Sequence, residues 1–368
     1  MNSIYLFLLS PLHTGGTTQE GNLVGIAREA HTELPYLPSS TIRGRLRASI
    51  NDKQLRVQLF GPELSDLTQR NGDAGTGGNQ TSSASDSETT QSNNNSSNLE
   101  QGDIWVGDGS LLWFPIASLS HGVVWISCPM LLRRWARLQS DNTLLKTVSS
   151  YDRNSTGDSE DENNSTAEQP TYRTNLIPQN SRNPKAIYLK DAIIKDGLQH
   201  WPDDEWKQFV PEKAQENGIT RILLVPDRHF ATLIQMGLWR QVKIKLDEHK
   251  TVDGGFRYEE AIPSDALMYF PWGVTSQVKA LASNSTKVKA IIKKRQELAD
   301  QHNIPLENRQ MAAVMTDLFQ SVLEAEERKI LQIGGQESLG RGFVEQWHSI
   351  EQPASQPTAT PSQEEQKS

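Results

Sequence analysis

The sequence predicts an α+β fold that carries large insertions. Three observations predict it: β-branched and aromatic runs typical of strands, stretches with apolar residues at helical spacing, and long polar segments between them. The strands and helices alternate irregularly, which is typical of α+β proteins rather than of repeating βα units. The length of 368 residues is enough for one large domain or two ordinary ones.

The elements can be assigned in order along the chain. An apolar strand over residues 4–10 comes first, and a helix over 40–50 follows. Residues 109–115 are a strand or a buried segment, and further apolar runs cover 116–119, 121–127 and 221–225. Short helices are predicted over 130–138 and from 226 to 236. Residues 239–247 and 256–262 are expected to pair as strands around a turn at Asp253, Gly254 and Gly255. Apolar residues at helical spacing from Met311 to Val322 predict a helix packed on the core.

Two polar, acidic segments interrupt this pattern. Residues 71–103 and 157–168 together contain ten Asp and Glu but no Lys or Arg. They are dominated by Ser, Asn, Thr and Gly, so they have little apolar surface to bury. We therefore expect disordered insertions over 71–103 and 152–170, and a disordered tail over 351–368. Leaving out the ten acids changes the net charge from −8 to +2, so the folded part is mildly basic.

The remaining composition limits the class and location of the protein. A single cysteine, Cys128, excludes an internal disulfide and is typical of a reducing compartment. The eight histidines and this cysteine show no zinc-ligand spacing. The apolar start is too short for a signal peptide, and no stretch approaches a membrane span. We expect a soluble cytoplasmic protein without a structural metal or a membrane partner.

A glycine-rich loop lies near the C-terminal end, between strand-like runs over residues 329–333 and 343–347. Its members are Gly334, Gly335, Gly340, Arg341 and Gly342. Glycine can adopt positive φ and bring N–H groups close to a phosphate, and arginine adds a planar fork of donors. The pattern predicts a phosphate-binding loop, and a plain glycine hairpin is the structural alternative.

A basic motif begins the helix predicted near residue 40. The candidates for its N-cap are Ser39, Ser40 and Thr41. Arg43, Arg45 and Arg47 follow in the first turns, where positive charge is locally unfavourable. An anionic partner would remove this conflict, and the helix start would add N–H donors for phosphate. A solvated basic helix face is the alternative.

Several motifs occur in a fixed order along the chain. They are Ser-Pro-Leu-His-Thr-Gly-Gly (10–16), Arg-Glu-Ala-His-Thr-Glu-Leu-Pro-Tyr-Leu-Pro-Ser-Ser (28–40), Arg-Gly-Arg-Leu-Arg (43–47), Leu-Phe-Gly (59–61), Gly-Ser-Leu-Leu-Trp-Phe-Pro-Ile (109–116), Trp-Ile-Ser-Cys-Pro (125–129) and Phe-Arg-Tyr-Glu-Glu-Ala-Ile-Pro (256–263). Together with the glycine-rich loop, they resemble the repeat-associated mysterious protein (RAMP) superfamily of CRISPR-Cas systems. Within it, they are similar to the backbone subunits of the type III-B Cmr effector complex.

The resemblance implies a ferredoxin-like palm, related to the RNA-recognition fold, in one domain over residues 1–350. It also implies a thumb hairpin that reaches over the next subunit and interrupts the guide–target duplex, which we place within residues 221–262. By position, the serines and arginines of residues 39–47 and the glycine-rich loop would hold the guide backbone, and phosphate contacts suit any guide sequence. The implied partners are crRNA, complementary target RNA, copies of this chain in a filament, and other Cmr subunits in antiviral defence.

The catalytic aspartate of the family has no counterpart at the matching position. In the family it precedes the acidic residue of an Arg-Glu pair by six residues, which gives Leu23 here, and a slip of one residue gives Asn22. Neither side chain supplies the charge that holds Mg²⁺ and activates water. We therefore expect RNA binding with impaired target cleavage, and Mg²⁺ as a cofactor only if cleavage is retained. Glu20 would substitute if the loop is remodelled.

Other titratable residues have two interpretations each. His13 is a candidate for acid–base chemistry or for ordering its turn. Glu259 and Glu260 are strand-edge carboxylates or parts of a metal site. Three hypotheses follow: a guide-RNA scaffold without strong nuclease activity, the same scaffold with an active endoribonuclease centre, and a standalone crRNA-processing nuclease. The thumb-like middle region argues against the third, because a monomeric nuclease has no neighbour to reach.

Overall fold

A computed structural model of the chain describes residues 1–16, 19–20, 23–62, 101–153, 170–179, 185–279, 286–306, 310–325 and 328–349. Most of the two predicted insertions, residues 71–100 and 154–169, and the tail over 351–368 lie outside these residues.

The strands are β1 Asn2–Leu8, β2 Gln19–Glu20, β3 Leu23–Val24, β4 Ile104–Val106, β5 Ser110–Ser118, β6 Gly122–Ser127, β7 Tyr172–Thr174, β8 Ile187–Tyr188, β9 Ile193–Ile194, β10 Leu198–His200, β11 Ile222–Leu224, β12 Trp239–Leu246, β13 Val252–Ala261, β14 Leu267–Val274, β15 Ile330–Gln332 and β16 Phe343–His348. The helices are α1 Ser39–Ala48, α2 Lys53–Phe60, α3 Pro129–Gln139, α4 Asn142–Arg153, α5 Asp203–Trp206, α6 Glu212–Glu216, α7 Asp227–Gly237, α8 Ser276–Lys279, α9 Thr286–Gln301 and α10 Met311–Glu324.

One large mixed sheet organises the molecule, which confirms the predicted α+β class. Its strand order is β10-β7-β11-β6-β5-β14-β1-β16-β15, with β4 also paired to β14. The central strand β1 is antiparallel to both β14 and β16. Ile4, Leu6 and Leu8 of β1 join the core on one face, and Tyr5 and Phe7 join the core on the other. Because helices cover both faces, β1 is an almost continuous apolar run rather than an alternating one.

The helix predicted from the apolar stripe at 311–322 is confirmed as α10. Its side chains Met315, Leu318 and Phe319 are fully buried. Phe319 packs edge-on against Trp272 of β14, with ring centroids 4.7 Å apart. The edge-to-face arrangement is the preferred geometry for two aromatic rings, so α10 is fixed on the sheet by shape as well as by buried area.

The predicted strand pair around residue 250 is also present, but its turn lies elsewhere. We refer to β12 and β13 as the ribbon. The chain reverses over residues 247–251, where the Asp247 carboxylate accepts hydrogen bonds from the backbone N–H groups of His249 and Thr251. The placement of the turn at Asp253, Gly254 and Gly255 was wrong, because an aspartate that bonds to the backbone a few residues on is itself a strong turn former. Gly254 and Gly255 instead lie within β13 with φ of +80° and +93°, beside a shift in strand register.

The last residues of the first predicted insertion are ordered. Asp103 is 1 % exposed, and its carboxylate accepts hydrogen bonds from Gln58 on α2 and from Arg295 on α9. Its assignment to a disordered acidic segment was wrong, because composition alone does not identify the one acid that has a buried cationic partner. Within the described part of the chain, no helix is both long and apolar enough to cross a membrane.

Candidate nucleic-acid interface

The ribbon projects from the large sheet and exposes one apolar side. Three cross-strand pairs form this side: Val242 with Tyr258, Ile244 with Phe256, and Leu246 with Val252. Each of these six side chains is between 42 % and 60 % exposed. Residues directly opposite each other on paired strands share a face, so the six residues make one continuous apolar surface. An exposed patch of this kind is typical of an interaction site.

The opposite side of the ribbon is polar and largely basic. Lys243 is paired with Arg257 across the strands, and Lys245 lies beside the shift in strand register. The Lys245 amine lies 2.7 Å from the Asp253 carboxylate. The ribbon therefore carries exposed aromatic rings on one side and cations on the other, and both kinds of group bind single-stranded nucleic acid.

Two buried carboxylates at the base of the ribbon form ion pairs with basic side chains. Glu260 is 2 % exposed and lies 2.7 Å from Arg28 and 2.9 Å from Arg240. Glu259 is 1 % exposed and lies 2.5 Å from the Lys243 amine. Buried carboxylates need such partners, so these ion pairs support a structural role in fixing the ribbon to the body.

Arg28 and Glu29 connect the ribbon to helix α3. Arg28 contacts the ribbon, whereas the next residue, Glu29, accepts two hydrogen bonds from Arg134 of α3 at 2.7 and 2.9 Å. The Arg-Glu pair singled out in the sequence therefore ties two parts of the molecule together, each through one ion pair.

The glycine-rich loop packs against the turn that contains His13. Gly334 has φ of +97°, and a Cβ atom there would lie 2.5 Å from the His13 carbonyl oxygen. The N–H groups of Gly335, Gly340 and Gly342 already donate within the chain, to the carbonyls of His13, Glu337 and Pro11. These glycines are thus explained by turn geometry and close packing, and in this conformation the phosphate-binding potential of the loop lies mainly in Arg341.

Arg341 connects this loop to the ribbon. Its guanidinium carbon lies 3.8 Å from the centre of the Trp239 ring, and one of its Nη atoms donates to the Gln241 side chain at 2.8 Å. Its Nε atom has no hydrogen-bond partner among the described residues. Stacking on an aromatic ring holds the guanidinium in place and leaves donors for a further acceptor.

His13 lies between the loop and the ribbon as a neutral side chain. It is 7 % exposed, and its Nδ1 accepts a hydrogen bond from the Gly15 N–H at 3.1 Å, which assigns the proton to Nε2. Burial lowers the pKa of the imidazole, the negative charge of Glu259 opposes this shift, and Lys243 and Arg341 add to it. Nε2 has no partner among the described residues, so it is an available hydrogen-bond donor.

The arginines predicted to face an anion at the start of α1 face another helix instead. Arg43 and Arg47 donate to the carbonyls of Phe60 and Gly61, at the C-terminal end of α2. Cations are stabilising at that end of a helix, which removes the electrostatic conflict seen in the sequence. Burial, together with the neighbouring Arg47, lowers the pKa of Arg43. Arg45 is half-buried, and its Nε has no hydrogen-bond partner in the described structure.

The start of α1 is already occupied by a carboxylate. The Ser39 N–H donates to Asp108 Oδ1 at 2.6 Å. The N-cap is Pro38, without a side-chain cap, so the prediction of Ser39, Ser40 or Thr41 as N-cap was wrong. Proline fixes a φ that suits the entry to a helix, and Asp108 supplies the acceptor from a different segment. Ser40 remains exposed on the first turn.

The loop that matches the family's catalytic segment attaches to the ribbon edge. Leu23 pairs with Tyr258 of β13 and with Glu20 of β2. Asn22 and the side chain of Glu20 lie outside the described residues. Leu23 itself is half-buried and has no metal-binding group. No group of three His, Cys, Asp or Glu side chains in the described ranges is arranged to hold a metal ion.

The RNA-binding residues predicted from the sequence do not form one cluster. Arg341 and the glycine-rich loop meet the ribbon and His13, whereas Arg43 and Arg47 contact the end of α2. Sequence reasoning missed Trp239 and Lys243, although a tryptophan followed by alternating cations at the start of a predicted strand was the available signal.

Comparison with known proteins places this geometry in a family. The chain matches the RAMP superfamily model over residues 6–345, so it belongs to the RAMP superfamily. A relative in Pyrococcus furiosus, the CRISPR system Cmr endoribonuclease Cmr4, is 25 % identical over 353 residues, which covers 92 % of each chain.

Solved structures agree on the fold. A chain of type III-B Cmr-beta in the apo state aligns with a TM-score of 0.56 at 13 % identity, covering 95 % of this chain and 97 % of that one. A chain of Cmr-beta bound to cognate target RNA aligns with a TM-score of 0.53 at 14 % identity, over 94 % and 96 % of the two chains. The resemblance to the RAMP superfamily found in the sequence is confirmed by the family match over residues 6–345.

Proposed function

We propose that this chain is a crRNA-binding backbone subunit of a type III-B Cmr effector complex. In this role it associates with copies of itself along the guide RNA and positions complementary target RNA. Membership of the RAMP superfamily, the Cmr relative of matching length and the fold shared with Cmr-beta chains support the proposal. A cytoplasmic location and contacts with other Cmr subunits are parts of the same proposal.

The exposed ribbon is the observation that carries this function. Its apolar side presents Phe256 and Tyr258, whose rings pack edge-on with centroids 5.5 Å apart. Exposed aromatic side chains stack on bases without reading their sequence, as a protein that accepts any guide requires. Residues 221–238 of the predicted thumb region form β11 and α7 of the body, so we assign the thumb to the ribbon alone.

Arg341 is the best-placed contact for the RNA backbone. It lies where the glycine-rich loop, the ribbon and His13 meet, and its stacking on Trp239 keeps the guanidinium oriented. Phosphate contacts add affinity without sequence preference. We propose Arg341, with the His13 Nε2–H as a neighbouring donor, as the contact of this site to the guide or target backbone, and Ser40 and Arg45 as further contacts on α1.

The described residues do not fit a Mg²⁺ site at this interface. Glu259 and Glu260 are neutralised by Lys243, Arg28 and Arg240, and Leu23 has no ligand atom. Mg²⁺ requires oxygen ligands with uncompensated negative charge. We therefore propose that this subunit holds the target without cleaving it efficiently.

A retained nuclease activity is the second candidate. Two observations favour it: the Pyrococcus relative is called an endoribonuclease, and Glu20 is paired in register with Leu23 at the ribbon edge. The discriminating experiment is incubation of the assembled complex with complementary RNA and Mg²⁺. Our proposal predicts intact target RNA. Regularly spaced products that disappear in a Glu20→Ala variant would establish the alternative.

The binding function is tested by removing the ribbon aromatics. A Phe256→Ala/Tyr258→Ala variant should bind complementary RNA at least about 30-fold more weakly, because it removes two base–aromatic stacks that are each worth about 1–3 kcal/mol. Leu119→Ala is a matched control, since Leu119 is an exposed apolar residue outside the ribbon, at 85 % exposure. Equal affinity of the double variant and the control, measured by filter binding of assembled complexes, would contradict the assignment.

A further inference from the structure

A cavity of about 210 Å³ lies at one end of the large sheet, where the parallel strands β6 and β11 end. β6 leads into α3 at Pro129 and β11 leads into α7 at Asp227, and both residues line the cavity. α7 has 11 residues, so it is about 16 Å long, and the ribbon begins beyond its other end. The cavity is therefore a separate site that the function proposed above does not use.

Arg173 of β7 brings an unpaired positive charge to this cavity. Its guanidinium carbon lies 4.5 Å from the centre of the ring of Tyr151 on α4, and both residues line the cavity. Among the described residues, the guanidinium has neither an ion pair nor a hydrogen bond. Stacking on an aromatic ring fixes the plane of the guanidinium and leaves the N–H donors at its edge available. An arginine held in this way is suited to bind an oxyanion.

A buried hydroxyl without a partner lies on the same face of the sheet. Ser127 of β6 is paired with Leu224 of β11, which is paired in turn with Arg173 of β7. Residues paired across neighbouring strands share a face, so Ser127 lies beside the cavity-lining Leu224 and Arg173. Ser127 is 0 % exposed, and its Oγ has no hydrogen-bond partner in the described structure. Buried polar atoms are almost always hydrogen-bonded, so this hydroxyl points to a polar ligand.

The remaining charged groups of the cavity favour an anion. Arg228, the second residue of α7, also lines the cavity and adds a second guanidinium. Asp227 is the only acid among the described lining residues. Its carboxylate accepts a hydrogen bond from the Met130 N–H at 2.9 Å and lies 3.4 Å from Arg133, so its charge is offset by α3. The start of α7 has no side-chain cap, and a helix start stabilises negative charge.

We propose that this cavity binds a phosphate group, either as inorganic phosphate or as the terminal group of a nucleotide. Arg173 donates hydrogen bonds to the phosphate oxygens, Arg228 adds charge, and the hydroxyls of Ser127 and Thr171 are further partners. Two arginines match the charge of nearly −2 on a phosphate group better than the single charge of a carboxylate. Sites for whole small molecules are commonly about 300–1,000 Å³, so a nucleotide would insert its phosphate and leave its nucleoside outside.

Calorimetric titration of the purified chain, free of RNA, tests the proposal with inorganic phosphate, AMP and adenosine. A probe with a phosphate group should bind, whereas adenosine should not. Arg173→Gln should weaken the binding at least about tenfold, because charge-assisted hydrogen bonds are lost. Arg137→Gln is the matched control, since Arg137 is an exposed arginine in the last turn of α3 and lies outside the cavity. This variant should bind as the parent does.

The pattern of binding also identifies the source of the phosphate group. Similar affinities for phosphate and AMP assign the site to the free anion, whereas binding of AMP alone that depends on Arg173 assigns it to a nucleotide. Ser127→Ala should weaken the binding about fivefold through the loss of one hydrogen bond, and it provides a second test if Arg173→Gln does not fold.

Three results would overturn the proposal: no binding of phosphate or AMP, equal binding of AMP and adenosine, or binding that neither Arg173→Gln nor Ser127→Ala weakens. Because guide RNA takes no part in the titration, none of these results depends on the function proposed above.

Discussion

Replacing Arg295 by methionine should destabilise the fold strongly, because it leaves the buried Asp103 carboxylate without its cationic partner. Asp103 is 1 % exposed, and Arg295 supplies it with two hydrogen bonds of 2.8 and 2.5 Å. Gln58 would remain as a partner, through its amide at 2.6 Å, but it carries no compensating charge. Removing one member of a buried ion pair costs about 3–5 kcal/mol. For a chain of 368 residues, that lowers the melting temperature by about 4–6 °C.

A double variant distinguishes the cost of the unpaired Asp103 charge from the cost of losing the contacts of the Arg295 side chain. Asp103→Asn/Arg295→Met removes both charges and should recover a large part of the stability lost in the single variant, since a buried pair is often replaceable by neutral groups. Thermal and urea unfolding, followed by circular dichroism, measure both. A single variant within about 1 kcal/mol of the parent, or a double variant no more stable than Arg295→Met, would refute this account of the ion pair.

Three further outcomes follow from the site. Gly342→Ala should lower the free energy of unfolding, measured in urea, clearly more than Gly340→Ala does. Both glycines have positive φ, but only at Gly342 would a Cβ lie 1.8 Å from a carbonyl oxygen. Equal losses in the two variants would contradict this. The folded state lowers the pKa of His13, so its contribution to the unfolding free energy is complete above the unfolded value of about 6.5 and is lost as pH falls below it. A His13→Gln variant should therefore show a shallower decline in stability below that pH than the parent does, and an unchanged slope would argue against a buried neutral histidine. Arg341→Gln should weaken RNA binding about equally for all sequences and reduce the salt dependence by about 0.7 in log–log slope, whereas a sequence-dependent loss would exclude a phosphate contact.

Much of the fold could be predicted because its elements follow local rules. The buried stripe of α10 and the apolar run of β1 need only periodicity and burial to be recognised. The turn of the ribbon was misplaced because two glycines and an aspartate that bonds to the backbone compete as turn signals over a few residues, and composition does not rank them.

The site was harder to predict because its partners are distant in sequence. The arginine pattern in α1 was recognised, but its partners at Phe60 and Gly61, and the carboxylate of Asp108 at the helix start, depend on tertiary packing. The stacking of Arg341 on Trp239 joins residues about a hundred positions apart. RNA binding by residues 39–47 and by the glycine-rich loop stays a prediction.

The central claim is that the ribbon and Arg341 contact RNA, and ultraviolet crosslinking of the assembled complex tests it most directly. The complex is irradiated with its guide and a complementary target, and crosslinked peptides are identified by mass spectrometry. The account predicts nucleotide adducts on the peptide containing Phe256 and Tyr258 and on the loop around Arg341. Adducts confined to other surfaces, with both of these peptides unmodified, would contradict it.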